Sequence, residues 1–299
     1  MRKHDFKYIY GPVFSWRLGI SLGIDLLSCS RKICNFDCVY CQLGKTSRFT
    51  NKPKIYVKTA DIIDELERLA KVRKIYLTFK YSKNPSLLNI RGRVIDYITF
   101  SGRGEPTLAK NLGQAIRAVK KLRIAPVAVL TNSSLINQAG VRENLSYADF
   151  VIAKLDAYSQ RSLESINRPA GKVRFDTIIH GIKRFKKNFK GKFALQIMFL
   201  EANQNEADNL ARLAKEIRPD EIQINTPTRA CKVRPLSRRE IARIKEYFSD
   251  VNFTPYLPRA PKDLVKGKGA GFISVYDIHP KKVASFSRQE TLKRRGKII

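Results

Sequence analysis

The 299 residues carry 58 lysines and arginines against 26 aspartates and glutamates, and the formal net charge of +32 is compatible with a polyanionic partner. Hydrophobic residues make up 43% of the chain, enough for a sizeable core, but no run of apolar residues is long enough to predict a transmembrane helix. The N-terminus shows no signal peptide, and five cysteines with three clustered argue against a disulfide framework, so we expect a cytoplasmic protein with no membrane partner.

The basic excess is spread along the whole chain and is not confined to a tail. A domain with a pI near 10.2 fits RNA as a partner. The high pI fits a generally basic proteome equally well, because net charge governs non-specific binding and does not identify the chemistry of a site. Charge alone therefore leaves the partner open.

Hydrophobic periodicity predicts strands and helices that alternate along the chain. In residues 18–26, large apolar residues alternate with Gly19, Ser21, Gly23 and Asp25, which predicts a strand with one bare face that leaves room for a ligand. Asp61 is the expected N-cap of the first helix. The predicted strands are 18–26, 94–100, 125–130, 150–155, 192–200 and 221–224, and the main predicted helices are 61–72, 111–122, 159–166, 175–189, 206–217 and 237–248, with a short helical region ending near 145.

Six strands that are each followed by helix predict a parallel sheet with right-handed crossovers. The expected fold class is α/β, a partial (β/α)6 TIM-like barrel of parallel strands with an irregular basic C-terminal extension. Residues 1–252 would form the barrel, with 73–93 as a loop or insertion, and residues 253–299 would form the extension. In α/β barrels, sites form at the carboxyl ends of the strands.

Three cysteines, Cys34, Cys38 and Cys41, lie within eight residues directly after the first predicted strand. Such spacing lets one loop surround one metal centre, and thiolates favour zinc or an iron–sulfur cluster. A closed structural zinc site needs four protein ligands, and no further Cys or His follows nearby. The loop therefore predicts a metal centre with one vacant position.

Polar or glycine-rich residues follow the other predicted strands, where they would line the barrel mouth. Each has an ordinary alternative as a turn or helix cap, and their joint placement favours a ligand site. Cys231, like Cys29, is isolated, and a small buried hydrophobe is its default role. The residues at the strand ends are Gly102, Gly104, Glu105, Thr131, Asn132, Lys154, Asp156 and Asn225.

The Cys-x3-Cys-x2-Cys motif, with Tyr40 before its last cysteine, resembles the radical S-adenosylmethionine superfamily. Further stretches resemble one cytosolic branch, the Fe–S oxidoreductases related to archaeal wyosine-tRNA synthases. The resemblance covers about residues 8–249. The stretches that carry it are 10–13, 17–19, 21–25, 41–44, 104–108, 155–157, 166–169 and 225–227.

The resemblance implies an enzyme whose [4Fe–4S] cluster is held by Cys34, Cys38 and Cys41 and whose fourth iron binds S-adenosylmethionine. One-electron reduction by a donor such as ferredoxin or flavodoxin would cleave this cofactor to methionine and a 5′-deoxyadenosyl radical, which abstracts hydrogen from a substrate. The implied cofactor-binding residues are Gly102, Gly104 and Glu105 for the methionine amino group, the backbone of Tyr40 for adenine, and Thr131, Asn132, Asp156 and Asn225 for ribose, carboxylate or adenine contacts.

Three residues depart from the pattern of this branch: Arg103 stands within the glycine motif, Ser133 replaces a glycine, and Trp16 replaces an arginine. The tRNA-modifying relatives make RNA an attractive substrate. Wyosine synthesis itself would need three further cysteines for a second cluster, and only Cys29 and Cys231 remain. A small molecule or a peptide stays open as substrate, and the alternative to an enzyme is a zinc-stabilised basic RNA-binding protein without catalysis.

Overall fold

The computed structural model describes most of the predicted barrel and little of the predicted extension. Cys29 lies outside the described residues, as does most of the predicted insertion at 73–93 and all of the extension except 271–277. The described residues are 6–27, 31–72, 89–90, 93–171, 173–229, 231–251 and 271–277.

A curled, mostly parallel sheet forms the centre of the molecule. The strands in chain order are β1 (Ile9–Ser15), β2 (Gly19–Ile24), β3 (Ile33–Cys34), β4 (Arg48–Phe49), β5 (Asn89–Ile90), β6 (Arg93–Val94), β7 (Tyr97–Phe100), β8 (Val127–Thr131), β9 (Phe150–Lys154), β10 (Lys192–Met198), β11 (Glu221–Asn225) and β12 (Phe272–Ser274). Eight of them form one sheet in the order β1-β2-β7-β8-β9-β10-β11-β12. Only the β1–β2 pair within this sheet is antiparallel.

Helices follow the strands as the periodicity predicts, and hydroxyl caps fix where two of them begin. The helices are α1 (Thr59–Val72), α2 (Leu112–Lys121), α3 (Ala139–Ser146), α4 (Gln160–Ile166), α5 (Phe175–Asn188), α6 (Ala207–Ile217) and α7 (Arg238–Glu246). Ser159 and Ser237 cap α4 and α7 through capping boxes. Helix α1 begins at Thr59, so Asp61 lies in its first turn and is not its N-cap. Among the described helices, none is long and apolar enough to cross a membrane.

The strands have two different faces, as expected for a sheet that curls around an interior. On β8, Val127 and Val129 belong to the main core beneath the helices. Ala128 and Leu130, one residue further on, belong to a separate cluster with Leu18. Residues from the amino-terminal halves of β9 and β10 complete this inner cluster. Apolar side chains therefore fill one end of the barrel interior, and the carboxyl ends of the strands are left for polar groups.

This architecture confirms the predicted α/β partial barrel. The two outermost strands, β1 and β12, were not predicted. Pro12 and a register shift between Tyr10 and Val13 break the alternation of β1, and proline is typical of edge strands. β12 has only three residues, lies within the segment predicted as the extension, and pairs in parallel with β11.

The bare face of β2 does not provide open space for a ligand, so that prediction was wrong. The ring of Tyr10, from the neighbouring β1, lies so close to Gly23 that a Cβ there would stand 2.2 Å from the ring. At Gly19, a Cβ would lie 2.3 Å from a carboxylate oxygen of Asp96. The Ser21 hydroxyl forms a hydrogen bond with the Thr99 hydroxyl. Small residues on one strand leave a gap that side chains of adjacent strands fill.

Candidate metal and cofactor site

The cysteine loop begins at β3 and is held by backbone hydrogen bonds on both sides. On one side, the amide of Ile33 donates to the carbonyl of Arg103 (2.9 Å), and the amide of Glu105 donates to the carbonyl of Ile33 (3.2 Å). On the other, the amide of Asp37 donates to the carbonyl of Asn167 (2.9 Å). The loop is therefore attached to the strand-end segments after β7 and to the segment after α4.

Amide groups donate hydrogen bonds to two of the three thiols. The backbone amide of Phe36 lies 3.4 Å from the sulfur of Cys34, and Nδ2 of Asn132 lies 3.7 Å from it. Nδ2 of Asn167 lies 3.4 Å from the sulfur of Cys38. N–H donors around sulfur are typical of iron–sulfur sites, where they tune the reduction potential.

Burial disfavours the thiolate forms in the absence of a metal. Burial raises the pKa of the Cys34 thiol far above its usual range, and the neighbouring Cys38 and Glu105 add to the rise. Burial, with a smaller effect of Asp156, raises the pKa of Cys38 to about 11. A bound metal deprotonates a coordinating thiol outright, so these groups become ligands when a metal supplies the positive charge.

A buried lysine lies beside the loop. Nζ of Lys32 donates to the carbonyl of Gly44 (3.0 Å) and pairs with Asp37 (3.6 Å). Burial alone would lower the pKa of Lys32, but the negative charge that Cys41 and Cys34 carry as thiolates outweighs it and the net pKa is raised. The lysine thus remains a cation next to the thiols.

The two glycines after β7 are required by close approaches to the chain around the loop. Gly104 has φ of +155°, and a Cβ there would lie 1.5 Å from the carbonyl oxygen of Ile33. Gly102 has φ of +153°, and a Cβ there would lie 2.3 Å from a carboxylate oxygen of Asp25. Only glycine fits both positions, which brings the glycine motif directly against the cysteine loop.

Glu105 joins the ends of β7 and β8. Its carboxylate accepts from the Thr131 hydroxyl (2.6 Å), the Asn132 amide (2.6 Å) and the Thr107 hydroxyl (2.7 Å). Burial raises the pKa of Glu105, and these hydrogen bonds oppose the rise. Three predicted site residues, Glu105, Thr131 and Asn132, therefore lie in direct contact and hold each other in place through hydrogen bonds.

Asn132 connects the Glu105 network to the cysteine loop. The next residue is Ser133, which stands where this branch has a glycine. Asn132 Nδ2 also donates to the side chain of Asn35 (2.8 Å), which is fully buried. Ser133 has φ of +68°, in the left-handed region that glycine adopts readily, and its hydroxyl oxygen is buried with no partner among the described residues. The serine thus occupies a position whose backbone favours glycine.

Asp156 is the centre of a second buried network. Tyr40 donates its hydroxyl to one carboxylate oxygen, which also accepts from Asn167 Nδ2 (2.9 Å). The other oxygen accepts from the Met198 amide (2.9 Å) and pairs with Lys154 (3.3 Å). Burial, followed by the charge of Asp156, raises the pKa of Tyr40 well above its usual value. Both oxygens of the aspartate are thus engaged by protein groups.

Asn225 lies at the end of β11, paired in register with Met198, next to the Asp156 network. The predicted residues therefore gather in two contacting groups on either side of the cysteine loop, with Asn225 beside one of them. Sequence reasoning did not select Asn35, Asn167 or Lys32. Asn167 could have been found, because it lies within the 166–169 stretch that carried the resemblance.

The barrel interior also holds polar groups whose hydrogen-bonding capacity is unmet. Gln196 and Gln223 are register partners on β10 and β11, and Gln196 Nε2 and Gln223 Oε1 are buried without a partner among the described residues. The same holds for Nε of Arg17, whose guanidinium forms no ion pair within the described chain. Burial and the nearby charge of Arg229 lower the pKa of Arg17 to about 10.

The sequence matches the family model described as the Radical SAM superfamily over residues 31–214, a range that contains all three clustered cysteines. The chain belongs to this superfamily. It is also 40% identical over 234 residues to a UPF0026 protein of Synechocystis sp., and the aligned region covers 78% of this chain and 79% of that protein. Within the superfamily, the chain is therefore a member of the UPF0026 family.

Solved structures share the fold. One is TYW1 with a lysine-pyruvate adduct bound, with a TM-score of 0.55 and 14% identity over 77% of this chain and 72% of that one. Another is Streptococcus suis SuiB bound to S-adenosylmethionine, with a TM-score of 0.51 and 18% identity over 74% of this chain and 45% of that one. At these identities the likeness concerns the fold alone, and it agrees with the partial barrel described above.

Family membership confirms that the chain is an enzyme of the radical S-adenosylmethionine class, with a [4Fe–4S] cluster and S-adenosylmethionine as cofactors. The donor set fits the cluster, because three thiols on one loop are surrounded by N–H donors and a lysine cation. Within the described residues, no three His, Cys, Asp or Glu side chains are grouped to hold a single metal ion. A cubane cluster gives each thiolate its own iron, so this finding is compatible with it.

Proposed function

We propose that this chain uses Cys34, Cys38 and Cys41 to hold the cluster and acts on RNA. The observation that carries the cluster assignment is the cysteine loop, fixed at the carboxyl ends of the strands between the glycine motif and the segment after α4. When bound, the cluster and S-adenosylmethionine would supply hydrogen-atom abstraction: one electron from the cluster and one hydrogen atom from the substrate would convert the cofactor to methionine and 5′-deoxyadenosine and leave a substrate radical.

The residues around the cysteine loop fall into two groups. Some contact the cofactor, and the others hold these contacting residues in place. We assign the cofactor contacts to the backbone of Gly102, Gly104 and Tyr40 and to the side-chain Nδ2 group of Asn225. The backbone role of Tyr40 is compatible with its hydroxyl bond to Asp156. The side-chain oxygens of four further residues are already engaged by protein donors, so these residues act as positioning residues: Glu105, Thr131, Asn132 and Asp156.

Two observations support an anionic substrate, with RNA as our choice. The net charge is +32, and the excess extends over the whole chain. The guanidinium of Arg17, with no acidic partner among the described residues, lies near Arg229. Arg17 is half-buried with its Nε shielded from solvent, and a cation in such a position without a counter-ion is costly unless a ligand supplies the negative charge. We further propose that the enzyme works in the cytoplasm and receives electrons from a ferredoxin or flavodoxin.

Anaerobic turnover tests both parts of this proposal. Purified protein with reconstituted iron and sulfide is incubated with dithionite, S-adenosylmethionine and total cellular RNA, and 5′-deoxyadenosine is quantified. We expect visible iron–sulfur absorption and 5′-deoxyadenosine release that RNA stimulates. The Cys34/Cys38/Cys41→Ala variant should lose both the absorption and the release.

The possible outcomes separate the cluster from the substrate. Colourless protein with stoichiometric zinc after reconstitution would contradict the cluster assignment and favour the non-catalytic RNA-binding alternative. Coloured protein that releases 5′-deoxyadenosine at a rate indifferent to RNA would retain the cluster assignment and exclude RNA as substrate.

A further inference from the structure

We infer that residues 45–58, which we name the mouth strip, form the surface that binds single-stranded RNA at the entrance to the barrel; this inference rests on the proposed function. The strip is attached directly to the cysteine loop. Within it, β4 runs parallel to β3, with Phe49 the register partner of Cys34, and the amide of Thr50 donates to the carbonyl of Cys34 (3.3 Å).

The other half of the strip is attached to the segment that follows the glycine motif. The amide of Lys54 donates to the carbonyl of Leu108 (3.0 Å), and the amide of Lys110 donates to the carbonyl of Lys54 (3.1 Å). Between these anchors, Asn51 Nδ2 donates to the carbonyl of Ala170 (2.9 Å). The strip is therefore held by the segment after β7 and by the segment after α4. The same two segments hold the cysteine loop.

The strip concentrates unpaired positive charge. It contains no aspartate or glutamate, and none of its basic side chains forms an ion pair with a described residue. Lysines elsewhere on the surface are often paired, as Lys183 is with Glu216 at 2.5 Å. The basic residues of the strip, all exposed, are Lys45, Arg48, Lys52, Lys54 and Lys58.

Exposed apolar side chains lie among these cations. Phe49 is 46% exposed and Ile55 is 57% exposed, and they are two of the four large hydrophobic residues exposed in the described part of the chain. A third, Tyr158, is 36% exposed and follows β9 two residues after Asp156, also at a carboxyl strand end. An exposed aromatic ring flanked by cations is the combination that binds single-stranded nucleic acid, because the ring stacks on bases and the cations contact phosphates.

The position of the mouth strip would place bound RNA close to the proposed cluster. Phe49 lies beside the backbone of Cys34. A base that stacks on Phe49 would bring its neighbouring nucleotides to the opening beside the proposed cluster. The strip would therefore select single-stranded loops or ends of RNA, whose bases are accessible for stacking, over continuous duplex.

Two variants of the strip separate charge from stacking. Arg48→Gln/Lys52→Gln/Lys54→Gln should weaken binding of fluorescein-labelled total small RNA at least about tenfold at physiological salt, and reduce the slope of log affinity against log salt by about two. Phe49→Ala should weaken binding roughly tenfold and leave that slope unchanged. Both changes are on exposed side chains, and circular dichroism will verify that the variants fold.

The matched control removes three exposed cations at the opposite end of the barrel. Lys121, Lys187 and Lys190 lie at the ends of α2 and α5 or just before β10, and none forms an ion pair with a described residue. The Lys121→Gln/Lys187→Gln/Lys190→Gln variant changes the net charge by the same amount. We expect it to reduce RNA affinity less than threefold. Equal losses in the two triple variants would overturn the mouth strip as the binding surface.

Turnover distinguishes RNA from a protein electron donor, which could also dock on a basic surface near the cluster. With dithionite as reductant, the strip variants should lose the stimulation by RNA and keep the basal release of 5′-deoxyadenosine. If they instead lose activity only when flavodoxin replaces dithionite, the strip is a donor-docking surface and our inference is wrong. If RNA neither binds to nor stimulates the unmodified protein, the proposed RNA substrate fails, whatever the variants do.

Discussion

At the scale of single residues, Asn167 illustrates how one side chain can serve two roles. Its Nδ2 group lies 3.4 Å from the sulfur of Cys38 and 2.9 Å from a carboxylate oxygen of Asp156. Its backbone carbonyl receives the amide of Asp37 from the cysteine loop. The residue thus links a proposed cluster ligand to the network that holds Tyr40.

We predict that Asn167→Leu moves the reduction potential of the cluster to a more negative value. N–H donors stabilise the additional negative charge of the reduced cluster, and leucine keeps the volume but removes the donor. An anaerobic redox titration followed by electron paramagnetic resonance measures this shift. Asn188→Leu is the control, because Asn188 is exposed and, within the described part of the chain, its side chain donates only to the carbonyl of Arg184 (3.1 Å). An unchanged potential in Asn167→Leu would show that the residue is structural only.

At the scale of elements, the site depends on a two-residue strand. β3 pairs with the short β4 on one side and bridges to Gly104 on the other, and Cys34 is its last residue. Neither β3 nor β4 was predicted, since two residues are too few for a detectable period. The glycine motif is therefore a structural support for the cysteine loop as well as the proposed contact for the cofactor.

We predict that Gly104→Ala destabilises the cofactor-free protein by roughly 3 kcal/mol or more and prevents cluster assembly. The new Cβ would clash with the backbone carbonyl of Ile33, at a φ that alanine rarely adopts. Urea unfolding and iron content measure the two effects. Gly140→Ala is the control, because nothing lies within 4 Å of a Cβ at that position in α3, and it should add about 0.5–1 kcal/mol. A Gly104→Ala protein that unfolds like the parent would contradict the required close approach.

At the scale of the whole molecule, the curl of the sheet brings its two edges near each other. Arg17 lies in the turn between β1 and β2 at one edge, and Arg229 follows β11 near the other. Yet the charge of Arg229 contributes to the lowered pKa of Arg17. Two arginines from elements near opposite edges of the sheet are therefore within electrostatic reach of each other.

We predict that Arg17→Met stabilises the cofactor-free protein by about 1 kcal/mol or more at neutral pH. The pKa of Arg17 is lower in the folded state than in the unfolded state, so folding is disfavoured at every pH below about 10, and stability should rise as the pH increases through that value. Methionine removes this penalty, although it also removes the contact of the guanidinium with the Trp16 ring (5.5 Å to the centroid). Urea unfolding at pH 7 measures the gain.

Arg161→Met is the comparison for Arg17→Met, because Arg161 is exposed on α4 and should change the free energy of unfolding by less than about 0.5 kcal/mol. If Arg17→Met is instead less stable than the parent protein, the guanidinium already has a stabilising partner in the protein. In that case Arg17 would no longer support an anionic substrate.

Local sequence patterns specify the strand–helix alternation, the fold class and the position of the cysteine loop. These features are encoded by local periodicity and by close spacing, which need no knowledge of distant contacts. The tertiary structure alone showed that Asn167 donates to Cys38, that Tyr10 fills the bare face of β2, and that Phe49 lies beside Cys34. Such contacts join segments that are far apart in the chain or that are too short for a period, so only the closure of the sheet brings them together.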